Sequence, residues 1–140
     1  DSQRHGRGIC LYNNEIIYQG EWVHDREHGR GTLLTADRKT VIYDGEWEKG
    51  KIHGIGTYYY GPNSHRYEGE FKENLRHGDG IYMLPNGSTY RGTFKEGQLC
   101  GRGIFTWPDG SVYGTFFRTR GHYLCCVCGR GIFFKWPLWE

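Results

Sequence analysis

One motif recurs along most of the chain and constrains its fold more than any other feature. Each copy opens with Tyr-x-Gly-x-aromatic and closes with Gly-x-Gly, and the opening tyrosine always stands eleven residues before the first closing glycine. The four complete copies occupy residues 18–31, 43–56, 67–80 and 90–103. A fixed period of this length is typical of an array in which each unit stacks on the next.

The opening segment of each copy alternates with the period of a β-strand, so Tyr18, Gly20 and Trp22 are predicted to share one face. A second strand is predicted to begin at the Gly-x-Gly, which makes each unit a β-hairpin. A single hairpin cannot bury its rings, whereas stacked hairpins can. The predicted structural core consists of Tyr18, Trp22, Tyr43, Trp47, Tyr67, Phe71, Tyr90, Phe94, Gly29, Gly31, Gly54, Gly56, Gly78 and Gly80.

Composition agrees with an all-β fold and limits the function classes. Aromatic residues make up 16% of the chain and there are 23 glycines; glycine is costly inside helices, and aromatic residues favour strands. The net charge of +2 is spread along the chain, which argues against a nucleic-acid partner. The five cysteines are odd in number and bunched, which favours reduced thiols and a cytoplasmic location.

The predicted organisation is an all-β array of stacked antiparallel β-hairpins. A partial unit covers residues 1–17, complete units cover 18–42, 43–66, 67–89 and 90–112, and a degenerate C-terminal repeat covers 113–140. The partial first unit favours a piece of a longer array. Turns between units are predicted at Asn86-Gly87 and Asp109-Gly110, the dipeptides most typical of hairpins, and at Asn13-Asn14, since asparagine tolerates positive φ.

Tyr-x-Gly-Glu-Trp/Phe followed by His-Gly-x-Gly, at a period of 23 to 25 residues, resembles the MORN (membrane occupation and recognition nexus) repeat. The resemblance covers about residues 1–113, with departures at Thr93, Cys100, Thr115 and Cys128. It implies an elongated, single-layer β-hairpin array without catalysis of its own, used as a scaffold or adaptor in cilia and the cytoskeleton. It also implies alternatives: a phospholipid or membrane-docking module, or a regulatory segment of an enzyme such as a phosphatidylinositol phosphate kinase or a lysine methyltransferase.

No catalytic residue, metal site or cofactor is predicted. Equivalent residues of adjacent units lie about 10 Å apart, two strand spacings, so the repeated histidines cannot share a zinc ion bound at about 2 Å. The same separation argues against paired catalytic carboxylates. The histidines are expected to pack and hydrogen-bond at turns, and Glu21, Glu46 and Glu70 to face solvent or basic neighbours. The spacing of His122, Cys125, Cys126 and Cys128 fits no strong zinc pattern.

An apolar line on the face opposite the rings is the predicted binding site. Leu34, Tyr59, Met83 and Ile104 are expected at matched positions of successive units, forming a line about 30 Å long. A sheet face exposed to water should be polar, so this line predicts a protein partner, either a helix or an extended segment. The alternative is that twist or a loop covers it. Membrane lipid is expected to bind weakly, because acidic residues interrupt the basic ones.

Overall fold

The computed structural model describes residues 2–117 and 124–127, with backbone alone from residue 115 onwards, and confirms an all-β array. The strands are β1 Gly6–Tyr12, β2 Ile16–Val23, β3 Arg26–Thr35, β4 Val41–Glu48, β5 Lys51–Tyr59, β6 Arg66–Lys72, β7 Leu75–Met83, β8 Thr89–Lys95, β9 Gln98–Thr106, β10 Val112–Phe117 and β11 Leu124–Val127. They form one antiparallel sheet in sequential order. No helix that could cross a bilayer occurs among these residues. Most of the predicted C-terminal repeat lies outside them.

The register between strands repeats from unit to unit. Tyr18 on β2 is opposite Leu33 on β3, and Gly20 is opposite Gly31. In the next unit Tyr43 is opposite Tyr58 and Gly45 is opposite Gly56. A row of apolar side chains therefore crosses the sheet beside a row of glycines, both on the face that we call the ring face.

The opening tyrosine of each unit lies over the glycine row. The ring and hydroxyl of Tyr18 lie over Gly20 of its own strand and Gly31 of the next, where a Cβ atom would overlap them. Its hydroxyl donates a hydrogen bond to the Glu21 carbonyl oxygen at 2.8 Å. Tyr43 and Tyr67 repeat this bond with the carbonyls of Glu46 and Glu70. The tyrosine of the same strand thus fills the space above each central glycine. A glycine at this position could equally have left room for a ring of the neighbouring unit.

A second row of rings completes the core. Trp47 lies between Tyr18 and Tyr43, with ring centroids 5.1 and 5.4 Å away in edge-to-face geometry, an arrangement that favours aromatic pairs. Its indole N–H donates to the Gly31 carbonyl oxygen at 3.1 Å. All eight predicted core rings are buried, and Tyr18, Tyr43 and Tyr67 are fully so.

Closing strands begin earlier than predicted. Strands β3, β5, β7 and β9 start three residues before each Gly-x-Gly, and the glycines lie inside them at a β-bulge. Beyond the Gly20–Gly31 pair, Glu21 is opposite His28, so Gly29 and Arg30 are extra residues of β3. Gly29 has φ +62°, a left-handed conformation that glycine adopts at little cost. The first closing glycine therefore serves the bulge, and the second serves the tyrosine ring.

Two-residue turns join the strands within each unit. Both central residues have positive φ, as at Lys49-Gly50 and Glu73-Asn74, the conformation of a type I′ hairpin. Each turn also bonds to the preceding unit, since the Gly50 N–H donates to the Glu27 carbonyl and the Asn74 N–H to the Ile52 carbonyl, both at 2.9 Å. The predicted turns at Asn13-Asn14, Asn86-Gly87 and Asp109-Gly110 join successive units.

Alanine substitutions in the glycine row test the packing of tyrosine on glycine. Gly31→Ala should lower the free energy of unfolding by about 1–3 kcal/mol or more, because its Cβ would overlap the Tyr18 ring. Gly8→Ala is the matched control at the end of the same row, where a Cβ would lie 3.4 Å from the Trp22 ring, an ordinary contact. Urea denaturation of both variants makes the comparison. Equal losses of stability would contradict the proposed packing.

Alkaline titration tests the burial of the same rings. Burial raises the pKa of Tyr18 to about 12 and also raises the pKa values of Tyr43 and Tyr67 above the ordinary value of about 10. Because the folded state favours the neutral phenol, this stabilisation is complete below about pH 10 and is lost as pH rises through the folded pKa values. Phenolate absorbance should therefore show these tyrosines ionising late, together with unfolding. Ionisation of all eleven tyrosines near pH 10 with native circular dichroism would contradict it.

Candidate functional site

The face opposite the rings, which we call the outer face, carries exposed apolar side chains. Strand alternation places Ile9, Leu11, Ile55, Ile104 and Val112 on it, and their exposed fractions run from 49% to 62%. They stand on β1, β5, β9 and β10, and a large apolar patch on a soluble protein marks a binding site where further apolar residues connect its members. This face is therefore the candidate interaction site.

A line of half-buried apolar residues crosses the middle of the outer face. Leu34 on β3, Tyr59 on β5 and Met83 on β7 each follow the second closing glycine of their unit by three residues. We call these three residues the apolar stripe. It continues towards β1, since Leu34 is opposite Ile17 and Ile17 is opposite Leu11. Successive stripe residues lie two strands apart, about 10 Å.

Ile104 does not lie on this line, so the prediction of four matched positions is wrong. Ile104 follows Gly103 by one residue, and the register places it opposite Arg91 on β8. On β9 the residue in line with the stripe is Thr106. Met83 on β7 is opposite Thr89 on β8, and Thr89 is opposite Thr106. The strand period keeps Ile104 on the outer face but one row away, at the level of Ile81.

A cation lies within the stripe, between Tyr59 and Met83. Arg66 on β6 is opposite both Tyr59 and Met83. One terminal nitrogen of its guanidinium lies 2.7 Å from the Met83 sulfur, and its Nε lies 3.6 Å from the Glu68 carboxylate. Arg66 was not predicted as part of the site, because the predicted line contained residues of the closing strands alone. The apolar surface is thus divided by one paired charge.

The repeated glutamates have a structural role. A Glu46 carboxylate oxygen accepts a hydrogen bond from the Ile55 amide at 2.5 Å, and Glu70 accepts one from the Asp79 amide at 3.1 Å. Glu21 makes a longer contact of 3.5 Å with the Arg30 amide. These amides belong to the central residue of each Gly-x-Gly, so each glutamate stabilises the bulge of its unit. Sequence reasoning expected solvent or basic side chains instead.

The repeated histidines lie near the hairpin turns. The Nδ1 atom of His28 accepts a hydrogen bond from the Lys49 amide of the next unit at 3.5 Å, and His53 lies 3.2 Å from the Glu48 carboxylate. Within the part of the chain that the structure describes, no three potential metal ligands come together. The cluster at His122 and Cys128 lies outside that part, and the Cys125 and Cys126 side chains are not described.

Comparison with known proteins identifies the array. A search of curated proteins found no significant match. The family model for the MORN repeat matches five segments, at residues 1–15, 18–40, 43–65, 67–89 and 90–112. These segments span most of the chain and contain the tyrosine-over-glycine packing and the bulges described above. The chain therefore belongs to the MORN repeat family.

Proposed function

We propose that this array is a non-catalytic scaffold or adaptor that binds a protein partner across its outer face. The observation that carries the proposal is the apolar surface of the outer face, since the rings already have their own core on the opposite side. Loss of water from apolar area drives most protein association. The repeated tyrosines and glutamates support a structural role, because their hydrogen bonds hold the hairpins.

The proposed cellular setting follows from the family resemblance. We place the protein in the cytoplasm, with a ciliary or cytoskeletal scaffold as the setting suggested by other arrays of this kind. A regulatory segment of a larger enzyme would use the same outer face, because an array in an enzyme also acts through contact. The partner's identity distinguishes these settings.

Substitutions in the stripe test the binding surface. Tyr59→Ala should weaken partner binding by about 10-fold or more, since buried aromatic residues near an interface centre dominate its energy. Met83→Asp should weaken it as well, by placing a charge on the stripe. Both variants should keep the native circular dichroism spectrum, because Tyr59 and Met83 lie outside the core cluster. Proteins captured from cytosol by the wild-type array would be purified and titrated against each variant.

Tyr60→Ala is the matched control, because Tyr60 is the adjacent tyrosine on the ring face. Tyr60 packs against Tyr58 and Tyr82 and is 44% exposed. Its removal should leave partner affinity unchanged at temperatures where the variant is folded. If the variants at Tyr59 and Met83 are folded and bind normally, the stripe is not the binding site.

Vesicle binding tests the membrane alternative. Attraction to an anionic membrane needs several clustered basic residues, each contributing about 1 kcal/mol. Arg4 is bound to Asp25, with the guanidinium Nε 3.2 Å from the carboxylate, and Arg66 is paired with Glu68. We therefore expect little cosedimentation with phosphatidylserine vesicles at physiological salt. Tight cosedimentation that high salt abolishes would favour membrane docking over the protein scaffold.

A further inference from the structure

Carboxylates gather on the outer face beside the apolar stripe. Two rows of side chains adjoin the stripe on strands β4 to β7: Asp44, Thr57, Glu68 and Ile81 in the nearer row, and Glu46, Ile55, Glu70 and Asp79 in the next. Five of these eight positions are acidic and none is basic, whereas the rows end at arginines: Arg30 on β3 is opposite Glu46, and Arg91 on β8 is opposite Ile81. We call Asp44, Glu46, Glu68, Glu70 and Asp79 the acidic band. Its sign is opposite to the +2 net charge of the chain.

Most of the acidic band has no cationic partner. Asp44 accepts a hydrogen bond from the Thr32 hydroxyl at 3.1 Å, and Glu46 and Glu70 accept theirs from backbone amides. Asp79 lies 3.5 Å from the Thr93 hydroxyl. Only Glu68 has an ion-pair partner, Arg66. Four exposed carboxylates thus have no ion-pair partner: Asp44 in the row nearest the stripe, and Glu46, Glu70 and Asp79 in the row beyond it.

The spacing of the stripe favours a helix as its occupant. Successive stripe residues lie two strands apart, about 9.6 Å. Seven residues of an α-helix rise about 10.5 Å, and positions i and i+7 share a face. In an extended segment, side chains on one face recur about every 6.7 Å. That spacing does not match the stripe spacing of about 9.6 Å, so successive side chains would not all contact stripe residues.

The acidic band lies where the flank of such a helix would lie. Asp44 on β4 and Glu68 on β6 are each one strand, about 4.8 Å, beyond the stripe residue of the preceding strand. That distance corresponds to three or four helical residues. The nearer row is offset from the stripe by two residues along the strand, within reach of a long basic side chain. Lysine or arginine at these flanking positions would meet the carboxylates.

We propose that the occupant of the apolar stripe is a basic amphipathic helix, with apolar residues at seven-residue spacing and lysine or arginine on the side facing the acidic band. This inference rests on the proposed function and specifies its partner. The apolar stripe provides the contact area, and the acidic band selects the charge of the helix. Such selection raises the association rate and excludes acidic helices by repulsion.

Three synthetic helical peptides test the proposal. They share leucines at seven-residue spacing and differ only at the flanking positions, which carry lysine, glutamine or glutamate. Fluorescence anisotropy at physiological salt should show the lysine peptide binding about 10-fold more tightly than the glutamine peptide, with the glutamate peptide weakest. The advantage of lysine should shrink at about 0.5 M salt, because exposed charges are then screened.

Neutralisation identifies the carboxylates responsible. The double variant Asp44→Asn and Asp79→Asn keeps an acceptor for both threonine hydroxyls and should weaken lysine-peptide binding about 5-fold, without changing glutamine-peptide binding. The matched control is Glu73→Gln with Glu96→Gln, which changes net charge equally at exposed residues of the hairpin turns within units, away from the stripe. The control should leave the ratio of the two affinities unchanged.

The remaining outcomes separate this inference from the proposed function. If the lysine and glutamine peptides bind equally well and Tyr59→Ala abolishes both, the stripe binds helices but the acidic band does not select them. If the glutamate peptide binds most tightly, the proposed charge is wrong. If no peptide binds, or if Tyr59→Ala binds all three like the wild type, the stripe is not a site for such a helix and this inference is wrong. The proposed function is then still decided by the affinities of Tyr59→Ala and Met83→Asp for the captured partner.

Discussion

The packing of one tyrosine ring over two glycines is the contact on which the rest of the array depends. Tyr43 covers Gly45 of its own strand and Gly56 of the next, and its hydroxyl bonds to the Glu46 carbonyl. Each tyrosine ring therefore joins two strands, and Trp47, Phe71 and Phe94 each join two tyrosines. In stacked repeats, such contacts between neighbours carry most of the stability. A single-layer sheet can thus bury large rings without a second layer above it.

Concentrating the core on one face leaves the outer face available for binding. The residues that the repeat requires are the rings and glycines of the ring face and the glutamates that hold the bulges. The other outer-face positions have no equivalent restraint, and they differ between units, as Leu34, Tyr59 and Met83 show. An interaction surface can therefore change from unit to unit while the hairpins stay the same, which suits an adaptor.

The period of two in Tyr-x-Gly-x-aromatic was sufficient to predict the opening strands and the ring face, and the fixed repeat length predicted the stacking of the hairpins. The bulge could not be predicted from it, because the alternation gives no sign that Gly29 and Arg30 are extra residues. A turn within each unit was predicted, but its position was not, because His24-Asp25 and Glu73-Asn74 lack the usual hairpin dipeptides. The predicted position of Ile104 was wrong because Ile104 was assigned to the line as an apolar residue. Its distance from Gly103 is one residue, whereas each stripe residue follows its closing glycine by three.

The acidic band was equally hard to find in the sequence, where its members are separated by up to 35 positions and alternate with basic residues. Lys49, Lys51 and Lys72 stand between them in the chain, yet Lys49 is in a hairpin turn and the other two are at the turn ends of strands. Folding therefore sorts the charges, with carboxylates beside the stripe and these lysines at the turn edge. A helix on the stripe would meet local negative charge although the whole chain is positive. The net charge of this chain therefore does not determine the charge that a partner meets. The register of the strands does, because it determines which charged side chains lie beside the stripe.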